Sequence, residues 1–234
     1  MAATPRFAHL MILLLMGSEL TVAASLFTAL AAAVARRKFI ALFAAGAAIA
    51  VAAGYALVLL DVGWLSGERI LAPGQSKYFC EADCHIAYSI ESVYAEDIKA
   101  EQASRPGEEM RITIGLKTRF DQNSIASFRG NGPLTPEQRR VVLVDGSGRK
   151  FSPLAGMAAA PSTPMTQPLR PGESYITRFL FNVPRGARDL RLLITDVDPA
   201  SHFIIDHENS PFHGKIFLSL PPFQAVAGEV PISQ

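Results

Sequence analysis

Cysteine and histidine residues that could supply redox or metal chemistry occur in two groups. Cys80 and Cys84 are the only cysteines of the chain, and His85 follows them directly. The second group lies near the end of the chain and consists of His202, His207 and His213. Thiolates and imidazoles are ligand types that copper and zinc prefer, and a tetrahedral site needs four of them. If the two groups meet in space, the two thiols together with His207 and His213 would complete such a site.

The cysteine pair also predicts a disulfide, because an oxidising compartment would favour one. Cysteines four residues apart in a regular helix or strand are poorly placed for a bridge, but a tight turn brings them together. Covalent haem normally needs Cys-x-x-Cys-His, and this chain has one residue too many between Cys80 and Cys84. We therefore expect a disulfide and no cofactor, with a copper or zinc site and free thiols as the alternatives.

Motifs that would indicate catalysis are missing from the sequence. Residues 207–210 read His-Glu-Asn-Ser, but no Gly-x-Ser-x-Gly element presents a serine nucleophile to them. The sequence also lacks HExxH, a P-loop and a dinucleotide-binding fingerprint. We therefore expect a protein that is not an enzyme.

Two apolar segments near the start of the chain predict a pair of transmembrane helices, at about residues 7–35 and 39–60. The first carries one charge, Glu19, in 29 residues, and the second carries none in 22. About 20 apolar residues are enough to cross a bilayer. Because only Arg36, Arg37 and Lys38 separate the segments, residues 1–65 must form an antiparallel hairpin.

The basic connector predicts the orientation of this hairpin. Cytoplasmic loops carry an excess of lysine and arginine, so residues 36–38 should lie in the cytoplasm. Both termini and everything after the hairpin would then lie on the periplasmic side of a bacterial inner membrane. A cleaved signal peptide is the alternative for the first segment, although its apolar run is longer than signals normally have.

Small residues and one carboxylate in the helices predict contacts within the membrane. Gly46, Ala50 and Gly54 recur every four residues and share one face, which lets helix backbones approach closely. That face packs either on the first helix or on another membrane subunit. Glu19 lies at a depth where a carboxylate normally faces protein or water, so it is a second candidate contact.

The rest of the chain predicts a β-sandwich. A linker at residues 66–76 leads to a region at 77–220 with period-two alternation, for example in residues 110–120, and with Gly/Pro turns. Several short alternating strands without a convincing amphipathic helix are typical of an antiparallel sandwich. Long loops interrupt it, including one at 198–213 that contains the histidines, and residues 221–234 form a tail.

The order of these strands resembles a family of bacterial extracytoplasmic immunoglobulin-like domains of unknown function. The shared elements lie in residues 85–220 and include a Pro-Gly-Glu-Ser turn at 171–174 that leads into a strand ending Phe-Asn-Val-Pro at 181–184. The resemblance implies an immunoglobulin-like sandwich outside the cytoplasm and brings no catalytic residues. The two-helix anchor departs from the commoner single lipid anchor of this family.

The charge balance excludes some partners and favours others. The outer domain contains 18 Lys/Arg and 19 Asp/Glu without a basic tract, so nucleic acid is not an expected partner. The bilayer and other membrane subunits are expected partners. The sequence thus predicts a non-catalytic accessory subunit whose periplasmic sandwich contacts or stabilises a larger complex of respiratory or photosynthetic type. The alternatives are a metal-binding or redox domain and a free-standing envelope sensor or adhesion module.

Overall fold

The 234-residue chain forms two compact units in a computed structural model. Residues 8–81, 84–97, 109–126, 129–154, 162–222 and 224–225 are described. The helical unit comprises residues 8–68 and Val197–Lys215, whereas the β unit comprises Arg69–Asp196 and the chain from Ile216 onward. The expected order of two apolar helices followed by a domain of two β-sheets is confirmed.

The helical unit contains helices α1, Ala8–Val34, and α2, Lys38–Leu65. Both are long enough and apolar enough to cross a membrane. The chain reverses between them at Arg36, whose φ of 56° is in the left-handed region. We expected the second helix to end near residue 60, but it continues to Leu65. Two bonds then stop it, because the Ser66 N–H and hydroxyl both donate to the Gly63 carbonyl.

Alanines form the contact between the two helices. Ala32 of α1 and Ala44 and Ala48 of α2 are buried, and small side chains at such positions let helix backbones approach closely. Hydroxyl groups within α1 are satisfied by the helix itself, since Thr21 donates to the Gly17 carbonyl at 2.7 Å. The hairpin therefore packs without a hydrogen bond or ion pair between side chains of the two helices among the described residues.

A third segment of the helical unit comes from far along the sequence. Residues Val197–Lys215, which we call the return loop, belong to the same compact unit as α1 and α2. The loop begins with a 3₁₀ turn at Pro199–Phe203, where the Asp198 carboxylate accepts the Ala200 N–H at 3.0 Å. We expected the long loop at 198–213 to interrupt the sandwich, but the structure places it in the helical unit.

Within the described residues, the β unit contains ten strands arranged in two sheets. In chain order they are β1 Arg69–Leu71, β2 Lys77–Glu81, β3 Cys84–Asp97, β4 Glu109–Asp121, β5 Arg139–Val144, β6 Lys150–Phe151, β7 Ser174–Pro184, β8 Arg191–Asp196, β9 Ile216–Ser219 and β10 Gln224–Ala225. The first sheet has the order β1-β9-β8-β5-β6, and the second has the order β10-β3-β4-β7, with β2 also paired to β3. All pairs are antiparallel except β1 with β9 and β10 with β3.

Alternation along the strands produces the main hydrophobic core. In β4, Ile112, Ile114, Leu116 and Phe120 are fully buried, while the residues between them are mostly half-exposed. Burying one side of each strand in this way is what drives two sheets together. Leucine, isoleucine and valine side chains of β5 and β8 fill the same cluster from the first sheet.

The regions predicted as linker and tail both contribute a strand. Residues 69–71 of the expected linker form β1 and pair with β9, and Ser219 Oγ donates to the Leu71 carbonyl at 2.8 Å. Residues 224–225 of the expected tail form β10 and pair with β3. Both strands are too short to show an alternating pattern, which is why the sequence did not predict them.

Candidate functional site

The return loop is fixed to α2 by hydrogen bonds at two levels. The Tyr55 hydroxyl donates to the backbone carbonyl of Phe203 at 2.6 Å. About three turns further along, the backbone N–H of Gly214 donates to Ser66 Oγ at 2.8 Å. The loop therefore follows the last part of α2 rather than leaving the helix at one point.

Two glycines allow the loop backbone to touch the backbone at the end of α2. A Cβ atom at Gly63 would overlap with the carbonyl oxygen of Pro211, and one at Gly214 would overlap with the backbone of Gly67. Glycine is the residue that permits such close approach between backbones. Gly63 and Gly214 are therefore structural requirements of this contact.

Hydrogen bonds within the return loop hold its conformation. The Asn209 side chain donates to Ser201 Oγ at 2.9 Å, and its backbone N–H donates to His207 Nδ1 at 3.0 Å. The Ser210 hydroxyl donates to the His207 carbonyl at 2.7 Å. Ser201, Asn209 and Ser210 are buried together with their bonds. These buried polar side chains are thus satisfied by protein rather than by water.

Large apolar side chains project from the loop and from the end of α2. We call this set the apolar rim, and it consists of Trp64, Leu65, Phe203 and Phe212, which are 80%, 81%, 59% and 70% exposed. The rings of Trp64 and Phe212 lie 6.3 Å apart between centroids. Phe212 has a φ of 62°, which is unusual for a bulky residue. Its backbone strain accompanies an aromatic ring that is turned outward.

The histidines of the loop are engaged in bonds of the loop itself. His213 Nδ1 donates to the Gly214 carbonyl at 2.7 Å, and its Nε2 lies 3.4 Å from the Asp206 carboxylate. His207 Nδ1 accepts the Asn209 N–H, as described above, and His202 is exposed. No group of three or more His, Cys, Asp or Glu side chains that could hold a metal occurs within the described residues.

The cysteines belong to the β unit and lie on either side of the turn between β2 and β3. Cys80 is the register partner of His85, and Cys84 is the partner of Glu81. The side chains of Cys80 and Cys84 lie outside the described part of the structure, as do residues 82 and 83. The predicted disulfide and the copper or zinc alternative therefore both stay predictions.

The small-residue face of α2 lies on the outside of the hairpin. Gly46, Ala50 and Gly54 are exposed, and a Cβ atom added at Gly46 or Gly54 would meet nothing within 4 Å. Of the two interpretations of this face, packing on α1 does not occur, because the contact uses Ala44 and Ala48 instead. The face is available for a contact outside this chain.

Glu19 lies near the middle of α1 and is exposed. It is the twelfth residue of a 27-residue helix, and no hydrogen bond or ion pair joins its carboxylate to another described residue. It is close enough to the Tyr55 hydroxyl to interact with it electrostatically. A carboxylate at this position is costly in lipid unless protein or water covers it.

A buried cationic cluster connects the two sheets of the β unit. Arg139 Nη1 lies 2.7 Å from the Asp196 carboxylate, and the guanidinium carbon lies 4.5 Å from the ring centre of Phe79. Lys77 approaches the same ring, and its ammonium donates to the carbonyls of Ile194 and Ile216 at 2.6 and 3.0 Å. Because each cation has close polar partners, the cluster serves the packing of the sheets.

A smaller polar group lies beside His85 on the second sheet. The ring of His85 meets that of Tyr78 edge to face at 6.4 Å, and Arg119 donates to the Tyr78 hydroxyl at 3.3 Å. Burial raises the pKa of Tyr78, and the nearby Asp121 carboxylate raises it further. A phenol with a raised pKa stays protonated at neutral pH, so this group offers hydrogen bonds rather than a nucleophile.

Sequence reasoning missed the residues that seat the return loop. No structural role was predicted for Tyr55, Gly63 or Gly214, because no local pattern distinguishes them. The contact that they make joins residues about 150 positions apart. One signal was present, since Gly63 and Trp64 come at the outer end of an apolar helix. A glycine inside a helix often marks a close packing contact.

Comparisons with known proteins add one weak similarity. No protein-family model and no curated protein matches the chain. Among solved structures, it is similar to the 1.5 Å crystal structure of MPT63, a secreted protein from Mycobacterium tuberculosis, with a TM-score of 0.40 and 10% sequence identity. The match covers 65% of this chain and 97% of MPT63. A similarity this weak does not define the fold, which rests on the strand order of the chain itself.

Proposed function

We propose that this chain is a non-catalytic accessory subunit, anchored in a membrane by the α1–α2 hairpin and bound there to a larger membrane complex. The observation that carries the proposal is the exposed Glu19 carboxylate near the middle of an apolar helix. Insertion of an acidic residue at the centre of a lipid-facing helix costs roughly 2.5–3.5 kcal/mol, and a partner that accepts or donates a hydrogen bond removes this cost.

The open face of α2 supports the same proposal. Gly46, Ala50 and Gly54 are exposed, and both glycines have free space in front of them. In lipid, small residues in this pattern favour association because a second helix can approach closely. A helix of a partner subunit is therefore the proposed occupant of this face.

The proposed orientation follows from the charges at the connector. Arg36, Arg37 and Lys38 favour the cytoplasmic side, so both termini and the β unit would lie in the periplasm of a bacterium, with the hairpin in the inner membrane. The lengths of α1 and α2, about 40 and 42 Å at 1.5 Å per residue, support spanning, since a hydrocarbon core is about 30 Å thick.

We also assign the β unit to the immunoglobulin-like class. The strands β3-β4-β7 and β6-β5-β8-β9 have the order of the A-B-E and C′-C-F-G strands of an immunoglobulin sandwich. Domains of this architecture commonly act in adhesion and recognition, which suits a subunit that contacts a partner outside the membrane. Complexes of respiratory or photosynthetic type are the partners we propose.

Co-purification tests the proposal. The protein is extracted gently at its native expression level, and its partners and bound metals are measured in the same sample. We expect a stoichiometric membrane complex, with about tenfold less partner for Glu19→Leu and for Gly54→Leu, which corresponds to a loss of about 1.4 kcal/mol. Ala56→Leu is the matched control, because Ala56 is exposed on the same helix and lies about 120° around it from Ala50, outside the small-residue face.

Other outcomes of the co-purification would count against the proposed contacts or favour a different function. Unchanged recovery with both variants would exclude Glu19 and the small-residue face as contacts. A lone protein with about one equivalent of copper or zinc would favour a metal-binding or redox domain that uses Cys80 and Cys84. A lone protein without metal would favour an envelope sensor or adhesion module.

A further inference from the structure

We infer that the return loop is a membrane-interface element, whose apolar rim inserts among the lipids of the outer leaflet and fixes the depth of α2. This inference rests on the proposed membrane anchor. The apolar rim then contacts lipid, at the boundary between headgroups and acyl chains, and does not enter a pocket on another protein. Four observations carry it.

The first observation is the length of α2. The helix is about 42 Å long, whereas the hydrocarbon core is about 30 Å thick, so a helix that starts at the inner surface has about 12 Å in excess. Tyr55 lies about 26 Å along the helix from Lys38, and Trp64 lies about 39 Å along it. The loop contacts therefore run from just inside the outer edge of the hydrocarbon core, at Tyr55, to about 9 Å beyond that edge, at Trp64.

The second observation is the way in which the loop meets this segment. The Phe203 carbonyl is bonded to the Tyr55 hydroxyl, and the loop backbone packs against Gly63. Irregular backbone is tolerated at the edge of a bilayer only where its polar groups are satisfied by protein. The buried bonds of Ser201, Asn209 and Ser210 meet this requirement within the loop.

The third observation is the chemistry of the apolar rim. Trp64, Leu65, Phe203 and Phe212 are all at least 59% exposed, and two of them, Trp64 and Leu65, are the last residues of the apolar helix α2. Tryptophan and other aromatic residues are enriched where headgroups meet acyl chains. Four large apolar side chains at one end of an apolar helix fit this boundary better than they fit water.

The fourth observation is the backbone of Phe212. A φ of 62° is rarely found at a bulky residue, and such a conformation persists only where the surrounding structure enforces it. Here it turns the Phe212 ring outward beside Trp64. A glycine or asparagine would adopt this φ more easily, so the presence of phenylalanine indicates that the ring itself has a use.

Depth-dependent fluorescence quenching tests the inference. Trp64 is the only tryptophan of the chain, so Trp64→Phe gives a background in which a single new tryptophan is the reporter. The reporters are Phe203→Trp in the return loop, Ile49→Trp at mid-span of α2 and Lys150→Trp at the exposed first residue of β6 in the β unit. Each variant is reconstituted into phosphatidylcholine vesicles whose acyl chains carry a nitroxide either near the headgroup or near the chain end, and aqueous iodide is added separately.

We expect Phe203→Trp to be quenched at least twofold more by the shallow label than by the deep label, and to be protected from iodide. Ile49→Trp should respond most to the deep label, and Lys150→Trp should respond to iodide.

If Ile49→Trp responds to the deep label but Phe203→Trp responds to iodide, the loop inference is wrong and the anchor stands. If Ile49→Trp responds to neither label, the anchor proposal fails, and the inference falls with it. Protection of Phe203→Trp from both labels and from iodide would mean that protein covers the rim, which also overturns the inference.

Discussion

At the scale of single residues, the absence of a side chain determines how the return loop is held. Gly63 and Gly46 lie in the same helix and look alike in the sequence, yet their surroundings differ. A Cβ atom at Gly63 would overlap with Pro211, whereas a Cβ atom at Gly46 would face open space. The same substitution should therefore have opposite effects at the two positions.

We predict that Gly63→Ala destabilises the protein by roughly 1–3 kcal/mol, because overfilling a tight contact forces backbone shifts. Gly46→Ala should instead stabilise it by about 0.5–1 kcal/mol, since alanine loses less conformational entropy in a helix than glycine does. Thermal unfolding of the purified protein in micelles, followed through Trp64 emission, measures both. Equal effects of the two substitutions would show that the loop does not rest on Gly63.

At the scale of elements, the join between the sheets depends on a cation in the core of the β unit. Arg139 and Asp196 are register partners on β5 and β8, and the guanidinium also covers the ring of Phe79 on β2. The Arg139 side chain is 1% exposed. This arrangement connects three strands from both sheets through one side chain.

We predict that Arg139→Ala lowers the free energy of unfolding of the β unit by about 3–5 kcal/mol, because it removes a buried guanidinium together with its ion pair to Asp196 and its contact with the Phe79 ring. Arg140→Ala is the control, since Arg140 is the exposed neighbour on the same strand and should change stability by less than about 0.5 kcal/mol. Urea unfolding in micelles, followed by far-ultraviolet circular dichroism, measures the difference. Similar losses for both variants would mean that the buried pair has no special role.

Secondary-structure elements could be predicted where the sequence pattern is local, and they were missed where they depend on contacts between distant residues. Strands such as β4 alternate over more than ten residues, and their existence follows from that alternation. The assignment of residues 197–215 to the helical unit depends on contacts with Tyr55 and Gly63, which no local pattern encodes. The histidine group was predicted only as an alternative set of metal ligands, and no local pattern indicated that His207 and His213 would make bonds that shape the loop.

At the scale of the whole molecule, the helical unit and the β unit differ in the chemistry of their surfaces. The helical unit has an exposed apolar surface, an exposed carboxylate and a loop with an apolar rim, all of which suit a bilayer and its proteins. The β unit has a closed core and surface charges that include ion pairs, for example Lys117 with Glu91 and Arg111 with Glu96. Its placement outside the cytoplasm depends on the direction in which the hairpin crosses the membrane.

We predict that the connector of the hairpin faces the cytoplasm and that the β unit faces the periplasm. In a Cys80→Ser/Cys84→Ser background, single cysteines are placed at Arg37 in the connector and at Arg188, which is exposed in the β unit. A membrane-impermeant maleimide added to intact spheroplasts should label Arg188→Cys and spare Arg37→Cys until the membrane is lysed, because three cations hold the connector on the inner side. The reverse pattern would place the β unit in the cytoplasm. Labelling of both sites without lysis would mean that the hairpin does not span the membrane, so this measurement separates an inverted anchor from a peripheral one.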